Sequence, residues 1–134
     1  MIPDVERVVI AYLKAEGLGA VIVGETPANT DQQWVKVTQI GDRPVSGQDS
    51  DHFNATHLQL DCYASEGGPQ FTGEASGLYR AVRSSLLAMP NASHSGMSVT
   101  AVRFGSGFRL PDDSFDKPRQ RFILDAFVYG HETP

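Results

Sequence analysis

The stretch THLQLDCYASEGGPQFTGEASGLYRAVRSSLLAM, residues 56–89, predicts a β-strand, a glycine-rich break and an α-helix in that order. Between residues 57 and 64 polar and apolar side chains alternate, which is the pattern of a strand that buries one face. The apolar face consists of Leu58, Leu60, Cys62 and Ala64. After the break at residues 66–69, apolar residues return at helical spacing from position 75 to 89, with Thr72 as the predicted N-cap. A half-buried strand leading into a helix is therefore the centre of the predicted fold.

The residues before this stretch predict a first helix and two strands. Apolar side chains from Val5 to Leu13 fall on one helical face, so we expect a helix over about residues 3–16, ended by Gly17. Two β-rich runs follow, at residues 20–23 and 34–40, separated by a segment of turn composition. We expect these two runs to pair as a β-hairpin.

Two more strands are predicted after the central helix, at residues 98–104 and 121–129. The predicted order is thus α-β-β-β-α-β-β. Paired strands with the helices set apart are typical of an α+β fold, here a mostly antiparallel sheet of about four to five strands flanked by two helices. The length fits one domain over residues 1–134, with long loops at about 41–55 and 105–118.

Composition restricts the classes of partner and chemistry. The formal net charge is -5, so duplex DNA or an anionic membrane is not expected as the main partner, because both attract a positive surface. Cys62 is the single cysteine and faces inward in the predicted strand, which indicates a core thiol. No cofactor is predicted, since Gly105 and Gly107 lack the third glycine and the following helix of a dinucleotide-binding motif.

The first long loop and the strand after it contain residue types that bind metals. Asp49, Asp51, His52 and His57 lie within nine positions of each other, and carboxylate with imidazole is a possible ligand set for a small metal-dependent hydrolase. Their spacing matches no fixed motif such as HExxH, and aspartate-rich loops are usually solvated turns. We therefore predict neither a metal site nor a catalytic residue.

The second long loop carries charge of both signs. Asp112, Asp113 and Asp116 are followed by Lys117, Arg119 and Arg121. The carboxylates cancel most of the positive field, which disfavours nucleic-acid binding, whereas mixed charge suits docking between proteins. An exposed loop with no partner is the alternative interpretation.

Six segments, taken in order, carry a resemblance to a known family. They are PDVERVVIAYLKA (3–15), VIVGETP (21–27), WVKVTQIG (34–41), LQLDCYA (58–64), EASGLYRAVRSSLLAM (74–89) and LPDDSFDKPRQRFILDAFVY (110–129). Together they resemble the small tail terminator proteins of long-tailed, siphovirus-type bacteriophages, especially those of actinobacteriophages. Head-tail connector and head-completion proteins have a similar size and α+β layout, so a connector role is the alternative.

The resemblance implies a structural virion protein with no active site. Such a protein is assembled in the host cytoplasm as a ring, usually a hexamer, at the head-proximal end of the tail tube. It ends tube polymerisation and offers the surface to which the head docks. The implied partners are other copies of the chain, the tail tube protein and a head-tail connector or completion protein, with the genome passing through the ring. No membrane partner is implied, and a monomeric adaptor domain remains a further alternative.

A closed ring needs two different contact patches on every subunit. We expect the charged loop with Asp42, Arg43, Asp49 and Asp51 to contact the tube or the head side. Subunit contacts are assigned to Asp112, Asp113 and Arg119. The resemblance itself names no contact residue.

Overall fold

A β-sheet lies beneath two helices in the computed structural model, which describes residues 4–44 and 53–132, with the side chains of 4–42 and 55–131. The helices are α1 (Val5–Ala15) and α2 (Thr72–Leu87), the latter preceded by a short 3-10 turn at Pro69–Phe71. The strands are β1 (Val21–Val23), β2 (Trp34–Pro44), β3 (Phe53–Gly67), β4 (Ala92–His94), β5 (Met97–Arg109) and β6 (Arg119–Glu132). The predicted α+β fold is confirmed.

The strands of the described residues form one mixed sheet in the order β1-β2-β3-β6-β5-β4. Every neighbouring pair is antiparallel except β1 with β2. The sheet has one strand more than predicted, namely β4. This strand was not predicted because it is only three residues long and follows the helix stop signal at Pro90. Ser95 and Gly96 join β4 to β5 with positive φ angles of 49° and 87°, as a tight two-residue hairpin requires.

The predicted hairpin of the first two strands is wrong. Val21 pairs with Trp34 and Val23 with Lys36, so β1 and β2 run parallel. Residues 24–33 are long enough to return the chain to the end of the sheet where β1 begins, and the backbone N–H of Val21 donates to the carbonyl of Gln33 at 3.0 Å. The turn composition of residues 24–33 indicated that the chain reverses direction into an antiparallel strand. The connection is instead long enough for the chain to go back to the starting end of β1, so that β2 runs parallel to it.

Both long loops are shorter in the structure than the sequence indicated. Strand pairing continues through Gly41 and Asp42 of β2, and β3 begins at Phe53, so much of the predicted loop 41–55 is strand. Strand β5 likewise continues to Arg109, which leaves residues 110–118 as the connection to β6. Glycine and aspartate indicated turns in both places, but pairing with a long neighbouring strand outweighs these local preferences.

The core lies between the helices and one face of the sheet. Helix α1 buries Val5, Val8, Val9 and Leu13, and α2 buries Ala75, Leu78, Val82 and Leu86. They pack on the apolar face of β3, including Cys62, which is fully buried as predicted. The predicted N-cap Thr72 is instead the first residue of α2, because the 3-10 turn precedes it, and its hydroxyl donates to Gln120 Oε1 at 3.1 Å.

The other face of β3 is also covered at one end. Asp61 and Tyr63, predicted on an exposed face, retain only 3% exposure each. The chain folds residues 110–118 back over this end of the sheet, where Phe115 contacts Tyr63. The prediction of a half-buried strand therefore fails at Asp61 and Tyr63.

Candidate functional site

An aromatic cluster of Trp34, Tyr63 and Phe115 lies under the loop 110–118. Trp34 and Tyr63 are direct cross-strand neighbours and stack with ring centroids 4.2 Å apart and planes 13° apart. Phe115 closes over them at 5.8 Å from Trp34 and 6.3 Å from Tyr63. Trp34 is fully buried, and its indole N–H has no hydrogen-bond partner among the described residues. The structure therefore places Trp34 inside the subunit.

Arg119 joins three segments around this cluster. Its Nη1 donates to the carbonyl of Thr30 at 2.8 Å, to that of Ala64 at 3.3 Å, and to that of Ser65. The guanidinium also lies over the rings of Trp34 and Phe115, 5.4 and 5.3 Å from their centroids. Arg119 therefore holds the β1–β2 connection, the end of β3 and the loop 110–118 together.

Asp112 fastens the loop to the sheet. Its carboxylate accepts hydrogen bonds from the Tyr63 hydroxyl at 2.7 Å and from the backbone and hydroxyl of Ser114 at 3.0 and 2.7 Å. Its backbone pairs with Arg119, which closes the loop at its base. Burial acts to raise the pKa of Asp112, but these hydrogen bonds and the Arg121 charge outweigh it and hold the pKa below its usual range.

A second carboxylate, Asp61, lies deeper beneath the same loop. It accepts a hydrogen bond from Gln59 Nε2 at 2.9 Å and lies 3.6 Å from Arg121 Nη1. Burial raises the pKa of Asp61 despite these two partners. Burial and the hydrogen bond to Asp112 also raise the pKa of Tyr63. These shifts arise from polar groups buried beneath the loop 110–118.

The remaining predicted contact residues lie in three different places. Asp113 is exposed on the loop beside Asp112. Asp42 accepts a hydrogen bond from the Thr56 hydroxyl at 3.2 Å, and Arg43 pairs with Ala55 through the β2–β3 ladder. Asp49 and Asp51 lie outside the described residues. The structure thus brings Asp112 and Asp113 of the loop together with Arg119 at the start of β6, whereas Asp42 and Arg43 lie in a separate part of the sheet.

The hypothetical metal ligands include one described residue, His57. Its Nε2 lies 3.2 Å from Asp125 Oδ1, and its ring stacks on Phe127 with centroids 4.5 Å apart. Asp49, Asp51 and His52 lie outside the described residues. Within the described ranges, no group of three potential ligands is close enough to hold a metal. No helix described in the structure is long and apolar enough to cross a membrane.

A recess of about 490 Å³ opens beside Arg119. The exposed carboxylates of Asp31, Glu66 and Asp116 line it, together with Lys117. Charges of both signs, three carboxylates and the cations Lys117 and Arg119, therefore line the recess at the end of the sheet where β2 begins. Sequence reasoning did not identify it, because its three carboxylates come from three separate segments.

The two edges of the sheet differ in length and in cover. Strand β1 is three residues long, and beyond it the N–H of Gln39 in β2 donates to the Glu6 carboxylate at 2.9 Å. On the opposite side β4 pairs only with residues 97–99 of β5. Residues 100–109 of β5 pair with β6 on one side and have no strand on the other within the described ranges. An open strand edge is a template for pairing with another chain.

A family model of the tail completion protein gp17 matches residues 8–122. The chain belongs to the tail completion protein gp17 family. Membership makes it a structural assembly protein of the virion tail, and the resemblance to tail terminator proteins is confirmed at this level.

The fold of this tail completion protein is also found in a solved virion. A chain of the virion of a native gene transfer agent particle superposes with a TM-score of 0.72 and 14% sequence identity, over 94% of this chain and 93% of that one. No curated protein matches the sequence. At this identity the likeness concerns the fold alone.

Proposed function

We propose that this tail completion protein acts as the tail terminator. In this role it forms a closed ring, of six copies, on the head-proximal end of the tail tube. The ring stops the addition of tube subunits and gives the head its docking surface. Membership of the tail completion family supports the location, and the shape of the sheet supports the ring.

The observation that best supports a ring is the difference between the two edges of the sheet. A ring is built from head-to-tail contacts, so one surface of each subunit must meet a different surface of the next. The β1 edge is short. Beyond it, the backbone N–H of Gln39 in β2 already donates a hydrogen bond to the Glu6 carboxylate. The β5 edge offers unpaired backbone along residues 100–109. Two unlike edges at opposite ends of one sheet suit a ring better than a symmetric dimer, which would bring like surfaces together.

The loop 110–118 serves in this proposal as a preformed contact surface. Asp112 and Arg119 make their hydrogen bonds within the subunit, so they hold the loop in shape from beneath. Asp113 lies exposed at the surface of that loop. Asp113 therefore contacts a neighbour directly, whereas Asp112 and Arg119 position it. Asp42, Arg43, Asp49 and Asp51 are kept as candidates for the tube or head side.

The mass of the assembly tests the proposal. Light scattering after size exclusion, over a range of concentrations and with or without purified tail tubes, should reveal a six-subunit species. Tubes polymerised in the presence of the protein should stop growing at a defined length. A monomer under every condition with no effect on tubes would refute the terminator role. Binding to the head-side connector but not to tubes would favour the connector role instead.

A further inference from the structure

Charge is divided between the two ends of the sheet. Residues 75–111 contain four arginines and no aspartate or glutamate. This segment forms most of α2, β4 and β5. Residues 4–44, which form α1, β1 and β2, contain six acidic and four basic residues. One end of the sheet is therefore positive and the other negative, although the whole chain is acidic.

The positive end, here called the basic edge, consists of Arg80, Arg83, Arg103 and Arg109. All four side chains are exposed. The Arg83 guanidinium lies 4.7 Å from the centroid of Phe104 in β5. Arg80 donates to the Ser76 hydroxyl at 2.6 Å, and Arg109 donates to Gln120 Oε1 at 3.3 Å. None of the ion pairs within the described residues involves these arginines. Their charge is consequently available to a partner.

Exposed apolar side chains accompany the basic edge. Leu87 in α2 is 54% exposed, Phe108 in β5 is 43% exposed and Leu110 just after β5 is 46% exposed. Leu87 follows Arg83 by four positions, so both lie on one side of the helix. Arginine with apolar and aromatic side chains is the composition that protein interfaces favour.

The negative end, here called the acidic edge, consists of Glu16, Glu25 and Asp31. All three are exposed, at the end of α1 and in the connection between β1 and β2. Asp31 also lines the recess that Glu66 and Asp116 share. Ile40 of β2, at 53% exposure, gives this end an apolar side chain of its own. The acidic edge thus complements the basic edge in the sign of its charge and in having an exposed apolar side chain.

We propose that the basic edge of one copy docks on the acidic edge of the next, and that this contact closes the ring. The inference rests on the proposed function and names its subunit interface. A second copy of the chain is the occupant because it brings matching negative charge and an exposed apolar residue to the arginines and Leu87. Duplex DNA is the competing partner for four arginines, but the net charge of -5 opposes its approach.

A charge exchange between two variants tests this interface. In the first variant, Arg80→Glu and Arg83→Glu reverse part of the basic edge. In the second, Glu25→Lys and Asp31→Lys reverse part of the acidic edge. Each variant alone should need at least about tenfold more protein to assemble, since like charges then face each other. An equimolar mixture should recover the ring, because alternating copies restore opposite charge at every contact. If both variants assemble like the unmodified chain, the interface is elsewhere.

Two controls separate the possible failures. Arg7→Glu with Lys14→Glu changes the net charge as much as the first variant, but adds the negative charge to α1 on the side of the acidic edge and should not weaken assembly. Raising salt from about 0.05 to about 0.5 M should weaken the unmodified ring, which tests the interface without any substitution.

Rings whose assembly is unaffected by salt and by both charge reversals would refute this interface while leaving the terminator role intact. An arginine variant that assembles normally but no longer binds duplex DNA would assign the basic edge to nucleic acid. An unmodified chain that never forms a ring refutes the proposed function itself.

Discussion

Asp112 and Arg119 show how a polar residue in a loop can determine the shape of a surface. The sequence identified both as contact residues because they lie in a loop of mixed charge. In the structure Arg119 donates to backbone carbonyls of two other segments, and Asp112 accepts from Tyr63 and Ser114. Apart from Ser114, two residues after Asp112, their partners are backbone carbonyls or a tyrosine distant in sequence, and such partners produce no recognisable spacing. Residue types therefore located the loop, but only the fold could assign their roles.

Asp112→Asn should lower stability in a pH-dependent way. The folded state holds the pKa of Asp112 below its usual range, so its ionised form stabilises the protein above the unfolded-state pKa of about 4. That contribution is lost as the pH falls through the lower folded-state value. We expect a loss of about 1–2 kcal/mol in the free energy of unfolding at pH 7. The difference from the unmodified protein should shrink as the pH falls from about 5 to below 3.

Urea unfolding at a series of pH values measures this difference. Asp113→Asn is the matched control, because Asp113 is the exposed neighbour of Asp112. This control should change stability by less than about 0.5 kcal/mol at every pH. Asp61, whose burial raises its pKa, favours folding at low pH instead, but it is present in both proteins. A deficit in Asp112→Asn that stays constant from neutral to acid pH would contradict the assigned role of the carboxylate.

The elements of the fold divide into those that periodicity predicts and those that it does not. Both helical stripes and the inward face of β3 were predicted from the spacing of apolar residues alone. The parallel pairing of β1 with β2 was not, because spacing within a strand contains no information on the direction of its neighbour. Strand β4 was missed because three small or polar residues give no alternation to detect. Local pattern therefore predicts elements, whereas their pairing depends on the whole sheet.

Gly107 illustrates a strand residue whose sequence signal was misleading. The segment Gly105-Ser106-Gly107 indicated a loop, yet Gly107 pairs with Leu124 inside the sheet. A Cβ atom at Gly107 would lie 2.8 Å from Tyr79 Cζ and closer still to its hydroxyl, which is nearer than real contacts allow. The glycine thus leaves room for the Tyr79 ring against β5.

Gly107→Ala should destabilise the protein by roughly 1 kcal/mol, because the Tyr79 ring must turn away from β5. Chemical unfolding of four proteins, the unmodified chain, Gly107→Ala, Tyr79→Ala and the double variant, measures the coupling. The alanine at 107 should cost much less once Tyr79 has been shortened. Gly73 in α2 has no atom within 4 Å of a Cβ position, so Gly73→Ala is the control that should not destabilise. Equal costs of Gly107→Ala with and without the tyrosine ring would show that packing against Tyr79 is not the reason for the glycine.

At the scale of the whole molecule, the fold leaves two chemically different ends unpartnered. The helices cover one face and the loop 110–118 covers part of the other, but β5 remains open along residues 100–109 within the described ranges. The family match places such a subunit in a virion tail. The sequence resemblance reached the same family through the order of its segments. The division of charge between the two ends became visible only when the topology placed β2 and β5 on opposite sides of β3 and β6.

Ring formation should make the thermal stability of the protein depend on its concentration. Assembly stabilises the folded subunit by mass action, because only folded subunits enter the ring. A hundredfold rise in concentration above the assembly midpoint should raise Tm by roughly 5–10 °C for a chain of this size. The Arg80→Glu, Arg83→Glu variant should assemble only at higher concentration. Below that concentration its Tm should equal the Tm of the dilute unmodified protein, because both side chains are exposed. Scanning calorimetry over the same concentrations measures both curves, with Arg7→Glu, Lys14→Glu as the variant that should still follow the unmodified protein. A variant Tm that lies below the dilute unmodified value would show that the arginines stabilise the subunit itself, and identical concentration dependence in all three proteins would remove them from the interface.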